Sequence, residues 1–455
     1  MSKPKKPREI SIETLARLAK EGMERVSPLS QMERSIELMK QQVGQVEMDK
    51  RLAALPPQND RAKPCPLCGK SARIRTRLVP RTFQSLSGTH TFARHYHYCE
   101  VCRAGFYPLD EFLGLPKDGA LSEDLEMRVA DFAVNDAYEV AEERWNVHYP
   151  WKVSANQFRQ VAKRLGHQVE AANGIVLQGA LLAPQVTAAQ TLYAMNDGGM
   201  VPMRGKWSEV KVGVLFREEN YLSHRVTNRG ALSRARYVAV LGGQDEFRET
   251  FQTALQVENA VTARRVVWLA DGAPGNWNIA WTLCPHALQI LDWYHATENA
   301  MKCGRALLGE TSPLLQCWKE RVEALLWAGE PAVLLAELMD CLPEADSNGE
   351  LQALNDLIRY YRNNEKRIRY ADYLAQGVLI GSGIVESAHR HVIQSRMKRA
   401  GQHWGERGGR QMARLRAAYR TSGPESFHAA VRWAFRESQT LSRPRKQPRR
   451  YASNR

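Results

Sequence analysis

Apolar residues recur along this chain with two periods, and the changes between them divide it. Leu29, Met32, Ile36, Met39, Val43 and Val46 alternate spacings of three and four, which places them on one seam of a helix. Residues 1–60 therefore read as a helical segment: a short coiled coil, or one amphipathic helix packed on its own protein. Pro56-Pro57 and QNDRAK end it. The period then drops to two: Arg73, Arg75 and Arg77 share one strand face, with Ile74, Thr76 and Leu78 on the other. Residues 121–168 return to the helical period as three short helices. Ser122-Glu123-Asp124 opens the first, Ala137 to Trp145 forms the second, and the third begins at Ser154, where Ser154-Ala-Asn-Gln157 has the form of a capping box. A basic third helix carrying Arg159, Lys163 and Arg164 makes this stretch similar to a helix-turn-helix DNA reader.

Strand patterns begin at Gln190. TLYAMND runs to Asp197-Gly198-Gly199, WSEVKVGVLF alternates, and ARYVAVL follows, as in an antiparallel meander. After a helix around Phe247, Phe251 and Leu255, two short apolar runs end on acids: Val266 to Leu269 on Asp271-Gly272, and Leu288 to Leu291 on Asp292. Uninterrupted runs of this kind predict parallel strands covered on both faces, and a ligand site beyond their carboxyl ends. Three antiparallel strands followed by alternating helices and strands is the element order of an RNase H-like fold, in which Asp197 and Asp271 would stand on neighbouring strands. Residues 309–375 read as polar, leucine-rich helix. Gly381-Ser-Gly-Ile-Val-Glu386 then opens a helix running toward Lys398, with Glu386 at its positive end and Glu386, Arg390 and Gln394 on one face.

Charge and cysteine content sharpen this picture. Sixty-four Lys and Arg against 49 Asp and Glu leave +15, which ranks a polyanionic partner first. Cys65-Pro-Leu-Cys68 and Cys99-Glu-Val-Cys102 offer four thiolates at the spacing of one structural zinc, with Gly69 providing a knuckle-like turn. The long gap between the pairs predicts a ribbon with long strands whose arginines contact phosphates. The remaining cysteines (Cys284, Cys303, Cys317, Cys341) are scattered, no apolar run is long enough to span a membrane, and a cytoplasmic location is expected. The basic run RPRKQPRRYASNR closes the chain.

CPLCG, YHYCEVCRAGFYPLDEFLGL, NDGGMVPMRGKWSEVKVG, LADGAPGNWN, LDWYHA and GSGIVESAHRHVIQSRMKRAGQHW, in this order, resemble the DDE transposases of bacterial insertion sequences, with the nearest likeness to the ISKra-type family. The pairing of DWYH with GSGIVE is the specific part. The resemblance implies an RNase H-like catalytic domain (186–308 and 376–420) holding a helical insertion (309–375). Before it would come the N-terminal helical segment (1–60), a zinc ribbon (61–118) and a helix-turn-helix unit (119–172), and after it a basic tail (436–455). It maps a catalytic triad onto Asp197, Asp271 and Glu386, with Asp292 and His295 as an accessory D-x-x-H signature; the helix face shared with Glu386 adds Arg390 as a backing cation, with His389 and Lys398 nearby. The triad would hold two Mg²⁺ or Mn²⁺ ions for in-line phosphoryl transfer. DNA contacts would come from Arg73, Arg75, Arg77, Arg159, Lys163, Arg164 and Lys398. The implied partners are double-stranded DNA, as element ends and target, and further copies of the chain. A DNA-binding regulator without catalysis and a nuclease without strand transfer are the competing readings.

Overall fold

A computed structural model describes residues 27–55, 58, 61–115, 119–171, 190–223, 230–345, 347–421 and 427. The tail at 436–455 and the first 26 positions of the N-terminal segment lie outside the described residues. Two compact units divide at Glu126/Met127.

In the first unit, helix α1 (Pro28–Ala53) starts where Ser27 accepts a hydrogen bond from the Ser30 amide at 3.2 Å. A four-stranded antiparallel sheet follows: β1 (Lys63–Pro64), β2 (Ser71–Ser85), β3 (Gly88–Cys99) and β4 (Ala104–Phe106), with the short helix α2 (Pro108–Phe112) behind. The predicted alternation of the three arginines does not persist. The β2–β3 register slips between Ile74 and Thr76 and again between Thr76 and Val79, and Leu78 takes a left-handed backbone at φ 56°. Each slip inserts an unpaired residue and turns the strand, so Leu78 is exposed and no single arginine face runs from Arg73 to Arg77. Arg75 instead lays its guanidinium over the Tyr98 ring, 4.7 Å from its centre.

Helix α3 (Glu123–Asn135) contains the boundary between the units. It is followed by α4 (Tyr138–His148) and α5 (Ala155–Ala171). The capping box forms: Gln157 N–H donates to Ser154 Oγ at 3.3 Å, and Ser154 N–H donates to Gln157 Oε1 at 2.9 Å. Arg159 and Lys163 are exposed, whereas Arg164 is half-buried.

A five-stranded mixed sheet in the order β11-β10-β5-β6-β9 forms the core of the second unit. β5 (Thr191–Met203) and β6 (Lys206–Arg217) make a hairpin, and β9 (Arg236–Val240) is antiparallel to β6; a small ribbon, β7 (Tyr221–Ser223) with β8 (Gly230–Leu232), lies between them in sequence. β10 (Arg265–Ala270) and β11 (Leu288–Leu291) run parallel to β5. Helix α6 (Gln244–Val257) buries Phe247 and Phe251, and Phe251 meets Trp268 edge-on at 5.3 Å. Helix α7 (Pro274–Leu283) links β10 to β11, and α8 (Trp293–Leu308) leaves β11.

The leucine-rich stretch forms α9 (Leu314–Ala328), α10 (Pro331–Asp340), α11 (Asn348–Asn364) and α12 (Tyr370–Ala375). Tyrosine hydroxyls tie it to the sheet and to α8: Tyr370 donates to the Leu291 carbonyl at 3.0 Å and Tyr361 to the Ala296 carbonyl at 2.9 Å. The next helix, α13 (Gly383–Ala388), does not continue regularly toward Lys398. His389–Gln394 is π-helical before a final turn at Ser395–Met397, and a last helix, α14, spans 406–421. A π turn advances each residue by less than an α turn, so the predicted face at spacings of four through Glu386, Arg390 and Gln394 is skewed. Among the described residues no helix is long and apolar enough to cross a membrane.

Candidate functional site

Strand register brings the acids together. β10 pairs with β5 from Arg265↔Thr191 to Leu269↔Met195, so two positions further Asp271 stands beside Asp197. β11 pairs with β10 as far as Leu291↔Ala270, which sets Asp292 beside Asp271. Three aspartates thus form a row across three adjacent strand ends, with neighbouring backbones about 4.8 Å apart.

Each carboxylate in the row has a different environment. Burial pushes the Asp197 carboxyl above its ordinary range; the His389 charge opposes this and the Asp271 charge adds to it. His389 Nε2 stands 3.5 Å from Asp197 Oδ2. The His389 ring fits only because position 199 is glycine: a Cβ there would lie 2.8 Å from His389 Cε1. Burial lowers the His389 pKa, and the Asp197 charge partly restores it.

Asp271 Oδ1 accepts from the Ala273 amide at 3.0 Å and from Asn276 Nδ2 at 2.8 Å. Asn276 Oδ1 in turn accepts from Asn196 Nδ2 at 2.7 Å, and Asn196 Oδ1 accepts from Trp268 Nε1 at 2.7 Å. This buried relay fixes both amides and orients one oxygen of Asp271. Gly272 makes the turn at φ 94°, where a Cβ would strike Tyr360 at 2.7 Å, and Tyr360 Oη donates to the Asp271 carbonyl at 2.9 Å.

Asp292 is fully buried and caps α8. Its Oδ2 accepts from the His295 amide at 2.9 Å and pairs with His295 Nδ1 at 2.6 Å, while Oδ1 accepts the Ser382 amide. The hydrogen bond that the His295 ring makes to Asp292 raises the His295 pKa, as do the charges of Asp292, Asp271 and Asp197, against the effect of burial. Through Ser382 the same carboxylate anchors the turn that launches α13 and Glu386. Glu386 is exposed, and ligand atoms of Asp292, His295 and Glu386 all lie within 4.8 Å of one another. Arg390 and Lys398 are exposed on the segment beyond, with Lys398 Nζ 5.8 Å from the Trp207 ring centre.

Sequence reasoning missed Asn196, Asn276 and Tyr360, and set His389 near Glu386 as a backing cation, whereas its ring faces Asp197. The available signals were a polar Asn in the apolar run before Asp197, and the Asn of APGNWN five positions after Asp271.

In the first unit, Cys65, Cys68, Cys99 and Cys102 gather with all four sulfurs within 4.8 Å of one another. Cys65 and Cys102 sulfurs are 3.4 Å apart and those of Cys68 and Cys99 3.5 Å, near the roughly 3.8 Å edge of a tetrahedron with zinc–sulfur bonds of about 2.3 Å. Both knuckles turn through a left-handed residue: Gly69 at φ 70° after the first pair and Arg103 at φ 56° after the second. The cluster is compatible with zinc.

Fold and site define a mixed α/β protein with a row of carboxylates beyond the ends of parallel strands and a four-cysteine cluster compatible with zinc. The chain belongs to the uncharacterised protein family UPF0236, whose family profile matches residues 73–437. The match takes in the second cysteine pair, the aspartate row and Glu386. No curated protein matches the sequence.

Proposed function

We propose that the chain is a divalent-metal-dependent DDE transposase with an RNase H-like catalytic domain. The observation that carries this reading is the level placement of Asp197 and Asp271 on neighbouring parallel strands. Glu386 is gathered with Asp292 and His295, their ligand atoms within 4.8 Å of one another, and the Asp292–Ser382 link holds the turn from which its helix starts. The strand order β11-β10-β5-β6-β9 supports the fold assignment, because it puts the strand bearing the first aspartate in the middle of a mixed sheet. The proposed triad fits hard cations: Asp197, Asp271 and Glu386 offer carboxylate oxygens, with the imidazole of His295 next to Glu386, and Asp197 carries a charge that burial disfavours and a cation would offset.

Asp197, Asp271 and Glu386 would hold Mg²⁺ or Mn²⁺. When bound, such ions supply charge to the attacking and leaving oxygens of an in-line displacement at phosphorus. The chain's own groups do the rest. The Trp268–Asn196–Asn276 relay keeps one Asp271 oxygen aimed. Asp292 positions His295, and its hydrogen bond raises the His295 pKa, which favours the protonated ring beside a phosphate or a leaving oxygen. DNA would be gripped by the exposed Arg159 and Lys163 of α5 and by the arginines of the bulged ribbon, with zinc holding that ribbon in shape. Element ends and target are the proposed substrates.

The test is cleavage and joining of DNA carrying the gene's own flanking repeats, in Mg²⁺ and in Mn²⁺. Asp197→Ala, Asp271→Ala and Glu386→Ala are each expected to lower both steps by about 1,000-fold or more while circular dichroism and end binding are kept. Glu365→Ala and Glu406→Ala should leave both steps intact. Full activity in Glu386→Ala would remove the third member of the triad. Cleavage without joining would make the protein a nuclease.

A further inference from the structure

Helix α1 leaves an apolar seam exposed while a different side of it docks. That side docks on its own unit: Gln45 Nε2 donates to the Thr89 carbonyl at 3.3 Å, Asp49 Oδ1 pairs with His90 Nδ1 at 2.7 Å, and Leu52 packs against Phe83, Phe92 and Leu115. The apolar seam is left bare, with Leu29 66%, Met32 60%, Ile36 54%, Met39 62%, Val43 61% and Val46 67% exposed. None of these six is buried by any described residue, although their spacing is that of coiled-coil a and d positions. A contiguous stripe of this kind marks an association surface.

We infer that the seam is closed by the same seam of a second copy, lying antiparallel. Three features select this occupant and direction. In an antiparallel pairing that matches Leu29 with the second copy's Val46, Met32 with Val43 and Ile36 with Met39, all six layers are apolar and Lys50 falls outside the overlap. A parallel pairing would instead stack Lys50 on Lys50. Flanking charges also agree, because the antiparallel alignment brings Glu33 of each copy to Lys40 of the other, giving two opposite-charge contacts; the parallel one pairs Ser35 with Lys40 and Gln42 with Glu47 and gains none. Finally, the contact would bury on the order of 1,000 Å² across both copies, at the threshold for an interface that holds without further contacts. The arrangement is isologous, so it closes at two copies.

Sedimentation equilibrium of the full chain in a concentration series, with neither DNA nor divalent metal present, tests this apart from the transposase reading. A monomer–dimer equilibrium is expected. Ile36→Asp, at a site exposed in the single chain and so harmless to its folding, should weaken association by about 100-fold or more by placing a carboxylate from each copy in the seam. Glu33→Lys and Lys40→Glu should each weaken it by about threefold to fivefold, from two lost contacts, and the double exchange should restore it. A chain that stays monomeric throughout, as when residues 1–26 cover the seam, overturns the proposal. So does a double exchange no better than either single change, which excludes the antiparallel register.

Discussion

The carboxylate of Asp292 accepts three N–H groups, the amides of His295 and Ser382 and the ring nitrogen Nδ1 of His295, so it arranges other residues more than it presents itself. A residue so placed makes a pH-dependent contribution to stability through its partner. His295 has a folded-state pKa above its ordinary value of 6.5, the Asp292 hydrogen bond being the largest cause. A raised pKa on a cationic group means that its contribution is fully present below the unfolded pKa and is lost as pH rises through the folded one. Thermal unfolding of metal-free protein at a series of pH values above 6.5 should therefore show a decline that is shallower in His295→Gln. Identical slopes in the two proteins would mean that the Asp292–His295 pair contributes no charge-dependent stability. At this scale Asp197, Asp271, Asp292 and Glu386 were legible in the sequence, because each follows an apolar run or opens a helix after glycine. Asn196, Asn276 and the facing of His389 toward Asp197 were not, since a buried polar side chain reads as a polar interruption until its partner is known.

Elements were legible where one period persisted. The α5 capping box, the β5–β6 hairpin and the two parallel strands all follow their patterns. The patterns failed where backbone geometry departs from regularity: the bulges at Arg75 and Leu78 and the π segment at His389–Gln394 add residues without breaking the hydrophobic count enough to be seen. The cysteine knuckles give a prediction at this scale. Gly69 takes its left-handed turn freely, whereas Arg103 takes the equivalent one with a side chain, which costs about 1–2 kcal/mol. Arg103 is exposed, so Arg103→Gly removes that strain without opening a cavity. The variant should unfold at a higher temperature, with about 1 kcal/mol gained after the added chain entropy of glycine is subtracted. A lower melting temperature would show that the Arg103 side chain stabilises the knuckle more than its backbone strains it.

For the molecule as a whole, the formal charge of +15 sets an expectation about DNA affinity. Each phosphate neutralised by Lys or Arg releases condensed counterions, so log affinity should fall by about 0.9 per contacted phosphate for each log unit of salt. Filter binding over a salt series should give this steep slope for random DNA and element ends alike, with Arg159→Ala and Lys163→Ala reducing it. A flat response would rule out a phosphate-tracking surface.

The sequence alone determined the succession of elements, the four metal-spaced cysteines and the acids at strand ends, because periodicity, turn chemistry and ligand spacing are local properties. It also determined that α1 would carry an apolar seam. Only the tertiary structure decided which side of that helix meets its own protein, since the docking contacts at Thr89 and His90 lie on a different hairpin. Likewise only the sheet register placed Asp197, Asp271 and Asp292 in one row. Residues that pair across strands are separated by whole helices and hairpins in the chain, and their alignment depends on long-range hydrogen bonding that no local pattern encodes.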